Sequence, residues 1–286
     1  MTSSSSLLTR LAQPRKVPRV LSIAGTDPTG GAGIQADLKS IAATGGYGMA
    51  VVTALVAQNT CGVRSIHVPP MPFLREQLDS VSDDVVIDAV KIGMLGTRAI
   101  IDVVRDWLIA NPPPVVVLDP VMVATSGDRL LDAEAETALR ELLHRADLIT
   151  PNMPELAVLA NAVHAQDWCG VLAQAREVAA RYNIHVLAKG GHLDGAHAPD
   201  ALVAADGTVQ EFPGARIATR NTHGTGCSYS AALACLRPQT DSWAQAVALA
   251  KPWLTSAIRH ADALNVGKGN GPIHHFADLW EAASRG

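Results

Sequence analysis

Short β-branched runs alternate with helical stretches from Val17 onward, and this rhythm limits the chain to few architectures. Residues 17–24, 51–57, Ala89–Ile92, 115–118, 148–150 and 186–188 read as strands. Between them Gly33–Ala43, Arg98–Ala110, 133–144, 154–161 and 171–182 read as helices. Such alternation calls for a mostly parallel sheet with helices on both faces. Residues 201–212, with Asp206-Gly207 between two apolar runs, predict a hairpin that extends one sheet edge. Ligands of open α/β sheets bind outside the carboxyl ends of the strands. Gly25-Thr26-Asp27, Gln58-Asn59, Gly93-Met94, Asp119-Pro120, Pro151-Asn152 and Lys189-Gly190-Gly191 follow the strands, so all are expected on one rim.

Composition narrows the function. The 286 residues are 48% hydrophobic in short runs, none of bilayer-spanning length. With a net charge of −4 and no stripe among its 23 Lys and Arg, the chain is expected to bind neither nucleic acid nor membrane. Cys61, Cys169, Cys227 and Cys235 form no C-x-x-C pair, which suits a reducing, cytoplasmic setting and argues against a zinc site or disulfide framework. Residues 1–16 are expected to be a disordered N-terminal tail, and 17–286 a single domain. The Ser3–Ser6 run is the one low-complexity block.

Asn221-Thr222-His223-Gly224-Thr225-Gly226-Cys227 places two glycines and a thiol at the mouth of a small-residue apolar run, Ser228 to Leu236. If that run is a buried helix, the amides of residues 224–227 are its first-turn donors, and they and the helix dipole attract phosphate. Cys227 is either a buried packing residue or a thiol whose pKa the dipole lowers; its position favours the thiolate. Cys235 takes the packing role. The loop from Gly25 to Gly33 is no P-loop, because Gly31 stands where the phosphate-binding lysine belongs. Nor is it a dinucleotide fingerprint, since Gln58 and no acid ends the second strand. Close approach of a ligand to the backbone and simple turn chemistry both remain open for it. Asp119 follows an apolar run and precedes a proline. Asn152 and Glu155 serve either as helix cap and first-turn acid or, with Asp119, as water-mediated partners of Mg²⁺. Lys189, ending an apolar strand, either snorkels or meets an anion such as phosphate. The adjacent His274 and His275 diverge in direction and read as structural.

Taken together, residues 25–39 (GTDPTGGAGIQADLK), 57–60 (AQNT), 90–95 (VKIGML), 118–122 (LDPVM), 149–152 (ITPN) with Glu155, 189–192 (KGGH), 222–227 (THGTGC) and 267–276 closely resemble the hydroxymethylpyrimidine/phosphomethylpyrimidine kinases of thiamine synthesis, within the ribokinase-like superfamily. The resemblance covers about residues 17–276 in family order. It implies a three-layer αβα sandwich with a mostly parallel central sheet. It also implies ATP-dependent phosphorylation of 4-amino-5-hydroxymethyl-2-methylpyrimidine and then of its monophosphate, in a homodimer. By the same resemblance Gln58 would bond the aminopyrimidine edge, with Gly25, Asp37, Met94 and Val121 lining the pocket. Asp119, Asn152 and Glu155 would serve Mg²⁺, Lys189 would hold ATP phosphates, and Gly224, Thr225, Gly226 and Cys227 would surround the transferred group.

Many superfamily kinases carry Asp where Cys227 stands. A thiolate there would take the alcohol's proton, whereas a phosphate monoester is already ionised. On that premise Cys227→Ala harms the first phosphorylation more than the second. A pyridoxal or pyridoxine kinase is the nearest rival, although Ala57-Gln58-Asn59-Thr60 leans toward pyrimidine. A non-catalytic pyrimidine sensor would not need Lys189, Asp119 and the glycine turn together.

Overall fold

A computed structural model of the chain describes residues 7–11, 16–122, 131 and 133–285. Among these residues the main sheet has eight strands. Six run parallel: β1 (Arg19–Ala24), β2 (Tyr47–Val52), β5 (Ala89–Ile92), β6 (Val116–Leu118), β7 (Leu148–Ile149) and β8 (His185–Lys189). An antiparallel hairpin, β9 (Asp200–Val203) and β10 (Val209–Phe212), extends the β8 edge as expected. The order β10-β9-β8-β7-β6-β5-β1-β2 reverses direction between β1 and β5, which is where such sheets open a crevice.

The strands are apolar on both sides because both faces are covered. Leu21, Ile23, Val90, Ile92, Val116, Leu118, Ile149 and Val186 join one core cluster, and the intervening Val20, Ala89, Val117, Leu148 and Leu187 join another. The first lies under α3 (Met71–Ser82), α4 (Arg98–Ala110), α5 (Ala133–Leu142), α6 (Met153–Ala160) and α7 (Trp168–Tyr182). The second holds the buried faces of α8 (Thr225–Leu236) and α9 (Trp243–Arg259), with Ile41 of α2 (Gly33–Ala43). Alternating side chains thus build the expected three layers. Local chemistry sets the helix ends. Thr97 caps α4 through the Ile100 amide, and Asp167 caps α7 through the Gly170 amide at 2.8 Å, while Asn183 ends α7 in the left-handed region at φ 54°.

Three differences from the sequence-based expectations have local causes. The run 51–57 is two strands, not one. The Thr53 amide bonds Ala24 O at 3.0 Å, and the chain then leaves the sheet as β3 (Leu55–Asn59), which pairs antiparallel only with β4 (Gly62–His67). Gln58 therefore sits on a two-stranded flap and not on the sheet rim. Helices α3, α9 and α10 (Ala277–Ser284) carry weak signals: α3 begins with proline in its first turn and α9 contains Pro252. Finally, within the stretch expected to be a disordered tail, Leu7–Leu11 form a short helix, α1, with Leu7 packed on the second core cluster and Arg10 Nη2 bonded to Gln239 O at 2.6 Å. The remaining tail residues 1–6 and 12–15, the Ser3–Ser6 run among them, lie outside the described residues.

Trp107 of α4 is completely buried and its Nε1 donates to Ser82 Oγ of α3 at 3.2 Å. Trp107→Ala is expected to lower unfolding stability by about 3–5 kcal/mol, read as a fall in the urea midpoint with little change in slope.

Candidate active site

The turn leaving β1 is organised around one buried carboxylate. Asp27 accepts from the amides of Thr29 (2.9 Å), Gly31 (3.0 Å) and Ala32 (2.8 Å), from Thr29 Oγ1 (2.7 Å) and from His223 Nε2 (2.8 Å). Burial opposes its charge, but His223, Thr29 and the amides outweigh burial and hold it well below the usual carboxylate range. An ionised carboxylate only accepts, so His223 Nε2 carries the proton. The glycine turn after β1 is thereby tied to the residue preceding Gly224. Gly224 has φ +78°, and a Cβ there would lie 1.7 Å from Gly31 O. Only glycine fits that contact.

Gly224 caps α8, whose residues Ser228 to Leu236 are all buried. The Thr225 amide is taken by Thr222 O at 3.2 Å, so the free-donor role expected of it falls to its neighbours. Gly226 and Cys227 belong to the first turn and have no intrahelical acceptor. A Cβ built on Gly226 would stand 3.3 Å from Lys189 Nζ and 3.4 Å from Asp119 Oδ2. Lys189 ends β8, Asp119 follows β6, and their side chains meet at 3.2 Å, with Thr150 Oγ1 donating to Asp119 at 2.8 Å. Burial works against the charge on Lys189, yet Asp119 and Glu155 raise its pKa above the ordinary value.

Asn152 and Glu155 form a reciprocal capping box at the start of α6: Asn152 Oδ1 accepts the Glu155 amide at 2.9 Å, and Glu155 Oε2 accepts the Asn152 amide at 2.8 Å. The capping role is thus real, and Glu155 still faces the cavity beside Lys189 and Asp119. Burial, reinforced by Asp119 and opposed by Lys189, pushes its carboxyl up to about 7.

These groups line one cavity of about 980 Å³ together with Gly25, Gln58, Met94 and Val121. That volume sits at the top of the range for a single small-ligand site. Two of the expected roles change. Asp37 is not on the cavity wall. It is completely buried, with Lys91 Nζ 2.8 Å from both of its oxygens and Ser22 Oγ donating at 2.6 Å, because its helix, α2, turns it toward β5. Nor is Cys227 a thiolate. Burial pushes its thiol up to about 11; Lys91 and the Gly33 amide pull the other way but do not compensate, and Asp37 and Asp119 add to the rise.

Sequence reasoning assigned no role to Asp27, His223 or Lys91. Lys91 had a visible signal, a lysine inside the apolar run Ala89–Ile92, which requires a buried carboxylate partner. Lys251 of α9, paired with Asp200 at 2.7 Å on the cavity wall, had the same signal. The bland readings of Cys235, His274 and His275 hold: Cys235 is buried in the second core cluster, His274 packs edge-on to Trp280, and His275 Nε2 bonds Ser228 Oγ at 2.8 Å.

Comparison with known proteins identifies the family. The model of the phosphomethylpyrimidine kinase family matches residues 27–274. A hydroxymethylpyrimidine/phosphomethylpyrimidine kinase of Salmonella typhimurium is 53% identical over 261 residues, covering 91% of this chain and 98% of that protein. A thiamine biosynthesis multifunctional protein of Corynebacterium glutamicum is 57% identical over 90% of this chain, which spans only 34% of that relative's length. Among solved structures, a Bacillus subtilis pyridoxal kinase in complex with ADP superposes with a TM-score of 0.85 at 32% identity, over 92% of this chain and 99% of that one. The fold is ribokinase-like, and with a family model matched over most of its length, the chain belongs to the phosphomethylpyrimidine kinase family.

Proposed function

We propose that the chain is an ATP-dependent kinase that phosphorylates 4-amino-5-hydroxymethyl-2-methylpyrimidine and then its monophosphate, within thiamine synthesis. The observation that carries this reading is the meeting of the α8 start with Lys189 and Asp119 in the cavity that Gln58 also lines. Phosphoryl transfer depends chiefly on positioning and on stabilising charge. The acceptor oxygen forms a bond to the γ-phosphorus as the bond to the ADP oxygen breaks; in the first step the alcohol's proton passes to an oxygen of the transferred phosphate and on to solvent, and in the second the ionised monophosphate has none to lose. The amides of Gly226 and Cys227 with the Lys189 ammonium suit the charge spread over the transferred group. The Gln58 amide offers both a donor and an acceptor to the aminopyrimidine edge. Gly25, Met94 and Val121 wall the ring, and Asp37 acts beneath them through Lys91.

The donor set fits Mg²⁺. Glu155 and Asp119 are two buried carboxylates; burial first, and Asp119 after it, push the Glu155 carboxyl up to about 7, and a hard divalent cation would offset both. With Asn152 they would hold it mainly through its waters. When bound, the cation neutralises triphosphate charge.

Residues 17–286 make up the kinase domain in this reading. A homodimer belongs to the same reading; Tyr47 at the amino end of the β2 edge and, beyond its carboxyl end, Leu55 on the flap are exposed apolar side chains that a partner would cover. Among the described residues no helix is long and apolar enough to cross a membrane; with free cysteines on the surface this supports a cytoplasmic protein. A pyridoxal kinase is the second reading, favoured by the likeness to the Bacillus subtilis enzyme.

Three measurements test these proposals. In a coupled ADP-release assay, hydroxymethylpyrimidine and its monophosphate are expected to turn over well and pyridoxal poorly; turnover of pyridoxal alone would overturn the assignment. Because the Cys227 thiol is neutral and its backbone amide survives in Cys227→Ala, that variant is expected to slow both phosphorylations alike, by no more than about tenfold, the worth of the one hydrogen bond the thiol can donate. A loss confined to the first step would restore the thiolate base. Glu155 has a folded-state pKa of about 7 against a reference of 4.5, so the folded state binds more protons and stability falls as pH rises between those values, levelling off above. In metal-free buffer, Glu155→Gln is expected to remove this fall, at most about 3 kcal/mol, as judged by urea midpoints at pH 5 and pH 8.

A further inference from the structure

The flap formed by β3 and β4 is joined to the rest of the protein at both ends. At its base the Thr26 amide bonds Ala54 O at 2.9 Å and the Val56 amide bonds Thr26 Oγ1 at 3.0 Å. At its tip Thr60 enters a slot in the segment 265–272. The Gly269 amide donates to Thr60 Oγ1 at 3.1 Å and the Asn270 amide to Thr60 O at 3.1 Å. Two glycines shape this slot. A Cβ on Gly267, itself at φ +78°, would fall 2.3 Å from Thr60 Oγ1, and one on Gly269 would fall 2.0 Å from Thr60 O.

The same segment continues to the phosphoryl-binding turn. The Gly271 amide donates to Asn221 Oδ1 at 2.9 Å, the His223 amide donates to Gly271 O at 3.0 Å, and His223 and Pro272 form a parallel bridge. Asn221 Nδ2 and Thr219 Oγ1 both donate to Asp262 Oδ1, at 2.7 and 2.6 Å, which anchors this junction to the 3-10 turn Ala261–Leu264 that follows α9. A continuous set of hydrogen bonds therefore runs from Thr60, two residues beyond Gln58, to His223, one residue before Gly224. It bypasses the sheet.

We propose that Thr60 is a positioning residue which, through segment 265–272, fixes the distance between the flap that reads the acceptor ring and the turn that receives the phosphoryl group, and so narrows acceptor choice. The inference rests on the kinase reading above. A flap held only at its base can tilt, and tilting changes the gap that the ring must fill while leaving Lys189 and the α8 start in place. Acceptor affinity then suffers and nucleotide affinity does not. A bulkier hydroxymethyl heterocycle, such as pyridoxal, gains relative to the pyrimidine.

Thr60→Val keeps the volume and removes the hydroxyl acceptor, and Thr60→Ser returns it. Gly267→Ala wedges the tip outward from the opposite side. Steady-state kinetics of the full-length wild type come first, since failure of the wild type to phosphorylate hydroxymethylpyrimidine would sink the kinase reading itself. Thr60→Val and Gly267→Ala are each expected to raise KM for hydroxymethylpyrimidine at least about fivefold with KM for ATP within about twofold. Both are also expected to raise the pyridoxal to hydroxymethylpyrimidine ratio of kcat/KM, and Thr60→Ser to stay near wild type. Thermal melts of each variant report whether it is folded, and Gly267→Ala decides the matter if Thr60→Val is not. Parallel shifts in both KM values, unchanged selectivity, or a serine variant that behaves like valine would overturn the proposal.

Discussion

The contact between Lys189 and Asp119, 3.2 Å apart beside the first turn of α8, is the constraint around which the site is built. An ammonium with little access to water requires anionic partners. Asp119 supplies one within the fold, and a nucleotide phosphate would supply another during turnover. For the pair to form, β6 and β8 must end at the same level, which parallel strands separated by β7 accomplish. Gly226 must also lack a side chain, or it would press on both groups. The sheet register, the absent Cβ and the buried charge are thus one requirement seen at three scales.

Buried charge recurs throughout this cavity. Lys91 with Asp37, Lys251 with Asp200 and His223 with Asp27 each join elements far apart in the chain. Breaking a buried pair on one side leaves an uncompensated charge, which is strongly destabilising, whereas the intact pair contributes little net stability. Such pairs are better understood here as fixing geometry. Asp27 in particular gathers its own turn and the turn before α8 onto a single carboxylate.

Much of this was legible in the sequence because it depends on local pattern. The alternation of strands and helices, the hairpin with Asp206-Gly207 and the small-residue helix after Gly224 all follow from short-range rules. Lys189, Asp119 and the glycine turn could be placed on one rim because strand ends in a parallel sheet share a side. What escaped depends on contacts between distant segments. The departure of β3 from the sheet is set by how Thr53 and Thr26 bond across the chain. The protonation of Cys227 is set by burial and by carboxylates that no sequence neighbour reveals, so the helix dipole alone pointed the wrong way. Asp37 lay in a recognisable motif, but its partner Lys91 is 54 residues away.

A neutral, half-buried thiol has consequences for covalent chemistry. Cys227 presents little of the nucleophilic anion at neutral pH, while Cys61 at the flap turn and Cys169 in the first turn of α7 are exposed to solvent. An electrophile or oxidant meeting this protein encounters the surface sulfurs first and the cavity sulfur last. Sulfur at the heart of the cavity is therefore shielded by the same burial that keeps it protonated.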